Sequence, residues 1–89
     1  MLQVRYKKKF LKDLLDLPSG QRQEIEDFVF NFLPAIQSIA EANKFEKMTG
    51  YTNCVKARFG DYRIGAYYHK NVLELTRVLH RREIYRYFP

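Results

Sequence analysis

The chain has 89 residues, a length that supports one domain with a single hydrophobic core. Hydrophobic residues make up 46% of it, and seven Phe with seven Tyr supply enough apolar surface to argue against disorder. The 16 Lys and Arg outnumber the 10 Asp and Glu, for a net charge of +6. This excess lies wholly in residues 44–89, because residues 1–43 carry equal numbers of basic and acidic side chains. We therefore expect a polyanionic or acidic partner for the second half of the chain.

Several classes of protein are excluded by what the sequence lacks. Cys54 is the only cysteine, so we expect neither a disulfide framework nor a cysteine-based zinc site, which suits a reducing cytoplasm. With only two histidines, no glycine-rich phosphate loop and no triad spacing, we predict neither a metal nor a cofactor. No apolar stretch reaches the roughly 18 residues of a membrane helix, and the charged N-terminal segment is not followed by the apolar run of a signal peptide.

The hydrophobic pattern of the first half predicts a strand followed by two helices. Apolar and polar residues alternate over Leu2–Tyr6, as in a short half-buried strand. Apolar residues then recur at helical spacing over Lys7–Leu17, and Pro18–Gly20 breaks that helix. Ser19 is the expected cap of a second amphipathic helix, which Pro34 should end or kink, although the apolar periodicity continues beyond it. Two such helices joined by a short turn form a helical hairpin.

The second half is predicted to be an antiparallel meander. Lys44–Tyr51 is a polar connector, and the tail after residue 80 is expected to hold a helical turn. Between them the period becomes two, and the two-residue gaps Gly60-Asp61 and Lys70-Asn71 are typical of tight hairpin turns. The predicted strands are Cys54–Phe59, Tyr62–His69 and Val72–His80. The fold class is therefore α+β over residues 1–89: an N-terminal strand, a helical hairpin and a three-stranded meander, with the helices on one sheet face.

Two-residue loops fix the register of both hairpins, so facing residues can be predicted. Across the first turn Arg58 faces Arg63 and Lys56 faces Gly65. Across the second turn Arg63 is expected to face Val78, and Gly65 to face Thr76. One sheet face then carries the apolar side chains of Val55, Ala57, Phe59, Tyr62, Ile64, Ala66, Tyr68, Leu73, Leu75 and Leu79. The other face gathers Lys56, Arg58, Arg63, Gly65, Tyr67 and His80.

The cations on that second face indicate a polyanion site. Like charges at facing positions destabilise a sheet by a few tenths to about 1 kcal/mol, so Arg58 opposite Arg63 needs a reason. Phosphate oxygens would relieve the repulsion, and Gly65 leaves room for a group to approach the backbone. The alternative is a solvated basic face that only keeps the protein in solution. The tyrosines expected to stack on bases are Tyr67, Tyr85 and Tyr87.

Two other basic features are left open by the pattern. Lys7, Lys8 and Lys9 open the first helix, where cations oppose the helix dipole, and they form either a solvated face or an additional phosphate contact. Arg77 falls by its alternation among the core leucines. It is expected to lie at a sheet edge or to pair with one helix carboxylate among Asp13, Asp16 and Glu24.

The element order and two segments resemble the RelE/ParE superfamily of type II toxins from prokaryotic toxin–antitoxin modules. The first segment is Cys54–Ile64, with Gly-Asp-Tyr-Arg at its hairpin, and the second is His80–Arg86, which begins His-Arg-Arg-Glu-Ile-Tyr. The similarity extends over nearly the whole chain. It implies a RelE-like fold.

The resemblance to the RelE branch implies a cytoplasmic endoribonuclease that cuts mRNA in the ribosomal A site. In that reaction the substrate's own 2′-hydroxyl attacks the adjacent phosphate without a metal, which leaves a cyclic phosphate and a free 5′-hydroxyl. The chemistry needs a base, cations around the phosphate and an acid for the leaving oxygen. The implied partner is an antitoxin whose flexible, acidic segment masks the site.

Carried onto this sequence, the family's catalytic residues correspond to Lys56, Arg58, Arg63, His80, Arg81 and Tyr85. Lys56 lies in the basic strand as a base or phosphate ligand, and the two strand arginines look like phosphate clamps. His80 and Arg81 occupy the place of groups that protonate or neutralise the leaving oxygen, and Tyr85 resembles a base-stacking tyrosine. Cys54 stands where some members have a further lysine, so the general base is left open between Lys56 and His80. Further nucleic-acid contacts are expected at Lys7, Lys8, Lys9, Tyr67, Arg82 and Tyr87.

Two other functions are compatible with the same fold. A ParE-like toxin inhibits DNA gyrase without cutting nucleic acid, and members of that branch typically lack the full catalytic set, so the cation cluster argues against it. A non-catalytic module would use the basic face only to bind RNA or the antitoxin.

Overall fold

Five strands and three α-helices make up the computed structural model, which describes residues 1–89. The strands are Gln3–Tyr6 (β1), Phe45–Lys47 (β2), Cys54–Phe59 (β3), Tyr62–His69 (β4) and Val72–His80 (β5). The α-helices are Lys8–Leu15 (α1), Ser19–Glu26 (α2) and Ile84–Tyr87 (α3). The strands form one sheet in the order β1-β5-β4-β3-β2, in which β1 runs parallel to β5 and the other neighbours are antiparallel. The predicted α+β class is confirmed, and β2 is a short edge strand within the segment predicted as a connector.

The β3–β4 hairpin has the predicted register because its two-residue turn is tight. Gly60 takes a positive φ of 60° at the first turn position, which glycine adopts without steric cost. Arg58 therefore faces Arg63, and Lys56 faces Gly65. In the β4–β5 turn Lys70 and Asn71 take φ values of 48° and 63°. Both predicted turns are confirmed.

A β-bulge interrupts the β4–β5 pairing and reverses the alternation of the last part of β5. Leu75 faces Ala66, but Arg77 and not Thr76 faces Gly65. One extra residue therefore shifts the register, and Arg63 faces Leu79. The predicted pairs Gly65–Thr76 and Arg63–Val78 are wrong for this reason.

The sheet face that carries α1 and α2, called the inner face here, holds the main core. Its buried strand residues are Val55, Ala57, Phe59, Ile64, Ala66, Leu73, Leu75 and Val78. Phe10 and Leu14 of α1 and Ile25 of α2 close the core from the helix side, as their helical spacing predicts. Because of the bulge Val78 takes the inner place predicted for Leu79.

The second helix differs from its prediction at both ends. Ser19 is its first helical residue and makes no capping bond, because the extended residue before the helix is Pro18. Beyond Glu26 the chain continues as a wider π-helical segment, Asp27–Phe32, and then a 3₁₀ turn, Leu33–Ala35. Pro34 lies within that turn, and the chain becomes extended at Ile36. The helical segment therefore ends just after Pro34, which agrees with the prediction that this proline ends or kinks the helix.

The opposite face of the sheet, called the outer face here, is partly covered by the C-terminal helix α3. Ile84 and Phe88 form a second small core there with Met48 and Cys54, and Leu79 packs against it. The predicted helical turn in the tail is confirmed. No helix of the structure is both long and apolar enough to cross a membrane.

Candidate nucleic-acid interface

Arg58 and Arg63 lie side by side on the outer face, beside the β3–β4 turn. Neither belongs to any of the ion pairs of the molecule. One nitrogen of the Arg63 guanidinium, Nη1, donates to the carbonyl oxygens of Gly60 at 2.6 Å and Tyr62 at 3.0 Å. These bonds orient the guanidinium and leave its Nε and Nη2 donors free for a ligand. Arg58 is exposed, so the two arginines present unneutralised charge to solvent.

Lys56 is linked to the C-terminal helix through Tyr85. Its Nζ donates to the Tyr85 hydroxyl at 3.0 Å and lies 5.4 Å from the centre of the same ring. Tyr85 is 55% exposed, so the pair remains open to solvent. The contact joins residues 29 positions apart and brings an ammonium and a phenol together next to the arginines.

His80 lies on the inner face and not with the cations of the outer face, which corrects the sequence-based placement. The bulge puts it opposite Tyr62, and the two rings meet edge to face with centroids 5.4 Å apart. Its Nδ1 accepts a hydrogen bond from the backbone N–H of Arg82 at 3.2 Å. This bond requires an unprotonated Nδ1, so the neutral ring carries its proton on Nε2. Arg82 itself is exposed.

Arg81 is held against the β3–β4 turn by Asp61. Its backbone N–H donates to the Asp61 carbonyl at 2.7 Å, and its Nε lies 3.4 Å from Asp61 Oδ1. Both side chains are more than half exposed, so this ion pair contributes little to stability. The ion pair instead holds a third basic side chain beside the turn that Arg58 and Arg63 flank.

The gap above Gly65 is filled by the protein itself. A Cβ atom built on Gly65 would lie 2.6 Å from Phe88 Cγ, too close for any side chain to be accommodated without a shift. Tyr67 meets the Phe88 ring edge to face at 5.1 Å and is 38% exposed. The expectation that Gly65 leaves room for a ligand is therefore wrong, since the C-terminal tail occupies the space.

Cys54 does not supply the missing base. It is 4% exposed beneath α3, and burial raises the pKa of its thiol. A buried thiol that retains its proton accepts none from a substrate. The position where some family members carry a lysine is thus a packing position in this chain.

The remaining predicted contacts lie along the edge of β5. Lys7, Lys8 and Lys9 are exposed and line a shallow groove with Thr76 and Arg77. Of the partners considered for Arg77, Asp13 is the one observed: Arg77 Nε and Nη2 donate to its two oxygens at 2.6 and 3.1 Å. Tyr87 covers Arg77, with 5.3 Å between the guanidinium carbon and the ring centre. Because Lys56 is on β3, these lysines lie on the far side of β4 and β5 from it.

The cationic area is a flat surface. No concave pocket of the molecule includes Lys56, Arg58 or Arg63. No group of three or more His, Cys, Asp or Glu side chains is arranged to hold a metal ion. An open surface with unneutralised cations and exposed aromatic rings is suited to an extended polyanion more than to a small molecule.

Three contacts around the β3–β4 hairpin and the outer face are not predicted from the sequence. The pattern marks Asp61 as a turn residue and Phe88 as part of the tail, but not their contacts with Arg81 and Gly65. Lys44 reaches the same hairpin, where its Nζ donates to the Arg58 carbonyl at 3.0 Å and lies 4.4 Å from the Phe59 ring centre. No periodicity signals these contacts, because each joins segments that are distant in the chain.

Comparison with known sequences gives two similarities that extend over nearly all of the chain. Residues 4–85 match the model of a family described as the ParE toxin of the type II toxin–antitoxin system parDE. The chain is also 34% identical over 89 residues to the toxin RelE3 of Methanocaldococcus jannaschii, which covers 99% of this chain and 100% of that toxin.

Solved structures give the same fold. The RelB–RelE antitoxin–toxin complex from Methanococcus jannaschii contains a chain with a TM-score of 0.77 and 32% identity, covering 96% of this chain and 99% of that one. The toxin–antitoxin complex RelBE2 from Mycobacterium tuberculosis gives a TM-score of 0.70 at 23% identity, covering 90% of this chain and 98% of that one.

Proposed function

The chain belongs to the ParE toxin family of type II toxin–antitoxin systems, within the RelE/ParE superfamily, and from this premise we propose that it is an endoribonuclease that cuts mRNA in the ribosomal A site. The observation that carries the proposal is the pair Arg58–Arg63, which faces solvent without a carboxylate partner. A pair of arginines kept together against their repulsion is explained by a phosphate that binds between them. The site of action would be the cytoplasm.

In the proposed reaction the mRNA supplies its own nucleophile. A base takes the proton of its 2′-hydroxyl, whose oxygen attacks the adjacent phosphorus. The bond from phosphorus to the 5′-oxygen breaks and that oxygen takes a proton from solvent water, which leaves a 2′,3′-cyclic phosphate and a 5′-hydroxyl. Arg58 and Arg63 neutralise the charge that grows on the phosphate oxygens. Lys56, acting in its neutral amine form, is our candidate for the base, because of the two residues considered only Lys56 shares the outer face with the arginines.

At the leaving side we assign Arg81, which Asp61 holds beside the turn, to stabilise the departing 5′-oxygen. His80 acts through its bond to the Arg82 N–H, which fixes the turn that carries Arg81. Tyr85 stacks on a base next to the cleaved bond while its hydroxyl holds Lys56.

Mapping of mRNA 5′-ends in a translation extract tests the proposal. Wild-type protein should produce cuts within codons and fragments with a 5′-hydroxyl, and Arg63→Ala should reduce cutting by at least tenfold while remaining folded. Lys12→Ala, which removes an exposed cation from α1, is the matched control and should cut normally. Intact mRNA in the presence of folded wild-type protein would contradict the proposal.

Inhibition of DNA gyrase is the second candidate, because the matching family model is that of ParE. A supercoiling assay separates the two functions. Inhibited supercoiling together with intact mRNA would reverse our preference, and cut mRNA with normal supercoiling would support it. If the protein binds RNA or antitoxin but neither cuts mRNA nor inhibits gyrase, it is a binding module.

We also propose a cognate antitoxin with a flexible acidic segment as the partner. Two of the similar structures are complexes of a RelE-type toxin with its antitoxin. The net charge of +6 favours an acidic partner, and the attraction should weaken with salt. Binding of an antitoxin from the neighbouring reading frame, measured from 50 mM to 500 mM salt, tests this; tight binding that is independent of salt would contradict the electrostatic part.

A further inference from the structure

The C-terminal helix α3 is attached to the sheet through two buried side chains, those of Ile84 within the helix and of the residue that follows it, Phe88. This ring is 1% exposed and rests directly on the backbone of Gly65, with 2.6 and 2.9 Å between a Cβ built there and its Cγ and Cε2 atoms. An alanine at Gly65 would therefore force the ring to move. Glycine is required at this position for the approach of Phe88, since Gly65 has no positive φ that would require it for another reason.

The helix has little stability of its own. It contains four residues, far fewer than an isolated helix needs in water. Its buried contacts come from Ile84 and Phe88, and the N–H of Phe88 donates to the Ile84 carbonyl at 2.8 Å, which closes the turn between them. The orientation of the residues between these two positions therefore depends on whether Phe88 is seated.

Tyr85 is one of the residues whose orientation depends on the contact between Phe88 and Gly65. Its hydroxyl accepts the bond from Lys56 Nζ on one side of α3. Tyr87 lies on the other side, over Arg77. When Phe88 packs on Gly65, one tyrosine therefore contacts β3 and the other contacts β5.

We propose that Phe88, seated on Gly65, is a positioning residue that acts on the cleavage step through Tyr85. Phe88 is buried and touches no substrate, so its effect passes through the Tyr85–Lys56 contact. The inference rests on the proposed ribonuclease function and deepens it, since it identifies what holds the tyrosine in place. Displacement of a catalytic group by about 1 Å can cost on the order of a hundredfold in rate.

Gly65→Ala tests the inference by two measurements. The first is the rate at which trypsin cuts after Arg86, an exposed residue of α3, followed by mass spectrometry. We expect this rate to rise severalfold, because a released helix opens more often. The second is the rate of mRNA cleavage at saturating ribosomes, which should fall about tenfold to a hundredfold with little change in half-saturating concentration.

Two further variants separate positioning from general damage. Gly20→Ala is the matched control, because a Cβ at Gly20 meets no atom within 4 Å, and it should change neither rate. Gly65→Ala with Phe88→Leu should recover part of the cleavage, since the smaller side chain leaves space for the added methyl group. In a Tyr85→Ala background, Gly65→Ala should cause almost no further loss, because both changes remove the same contact.

The possible failures are distinguishable. If wild-type protein cuts mRNA and Gly65→Ala cuts equally well, the inference is wrong and the proposed function stands. The same conclusion follows if the losses from Gly65→Ala and Tyr85→Ala simply multiply. If wild-type protein leaves mRNA intact, the proposed function fails and the inference falls with it.

Discussion

Arg58 and Arg63 face each other directly across the β3–β4 hairpin, and no carboxylate neutralises either of them. The tight turn at Gly60 fixes this register, so the repulsion is a fixed feature of the fold and not the result of a flexible loop. The arrangement lowers the stability of the free protein and prepares a place for a bound anion.

Replacement of one of these arginines by a neutral residue should stabilise the protein. Arg58→Gln removes the like-charge contact and keeps most of the side-chain length, so the free energy of unfolding should rise by a few tenths to about 1 kcal/mol at low ionic strength. At 1 M salt the gain should vanish, because charges are then screened beyond about 3 Å. Urea unfolding at both salt concentrations, with Lys12→Gln as control, measures this; a loss of stability at low salt would contradict the interpretation.

Asp13 should matter more for stability than other acidic residues of α1. Its carboxylate accepts from Arg77 and also from the Val78 N–H at 3.2 Å, and both side chains of the ion pair are largely buried. The hydrogen bond that Arg77 donates to Asp13 is also the main reason why the pKa of Arg77 is raised. Asp13→Asn should cost about 1–3 kcal/mol, as expected for hydrogen bonds to a charged group.

The matched control for that change is Asp16→Asn, at the exposed end of the same helix. It should change the free energy of unfolding, measured by urea unfolding, by less than about 0.5 kcal/mol. Equal effects of the two substitutions would show that the Arg77 contact adds no stability.

Stability should decline in alkaline solution because unfolding exposes and ionises two groups, one buried and one partly buried in the folded protein. Burial raises the pKa of Cys54 above its ordinary 9.0 and that of Tyr6 above its ordinary 10.0. A group with a raised folded pKa gives its full contribution below its unfolded pKa and loses it as the pH rises towards the folded pKa. The free energy of unfolding should therefore fall above pH 9, first through Cys54 and then through Tyr6.

Two variants test which group causes each part of that decline in stability. Cys54→Ala should flatten the earlier part, and Tyr6→Phe the later part, although Tyr6→Phe also removes the 2.5 Å bond to the Val29 carbonyl and lowers stability at every pH. Chemical unfolding followed at several pH values from 7 to 11 measures the slopes. Slopes that neither variant changes would contradict the assignment.

His80 offers a test of positioning against proton transfer. His80→Ala should relieve the growth arrest caused by expression of the toxin, and it should reduce mRNA cleavage about tenfold or more while the protein stays folded. His80→Asn should retain most of the activity, because an asparagine carbonyl also accepts a bond from the backbone N–H two residues later. If both substitutions abolish cleavage equally, the imidazole itself transfers a proton, and undiminished arrest with His80→Ala would exclude either role.

The sequence by itself determined the parts of this protein that depend on local geometry. Alternation and helical spacing predicted the strand, the helical hairpin and the meander, and a two-residue turn was enough to place Arg58 opposite Arg63. Near a tight turn the register has no freedom, because the backbone must close within two residues. The resemblance to the RelE/ParE superfamily rested on the same segments and is confirmed.

Tertiary structure decided what lies farther along the chain from a turn. The bulge at Thr76 moved Leu79 to the outer face and His80 to the inner face, and no alternation signalled it, because Val78 and Leu79 are both apolar and fit either register. The space above Gly65, which the hairpin pattern predicts to be open to a ligand, is occupied by Phe88, 23 residues later. Such contacts depend on how the segments pack, and sequence periodicity describes each segment only on its own.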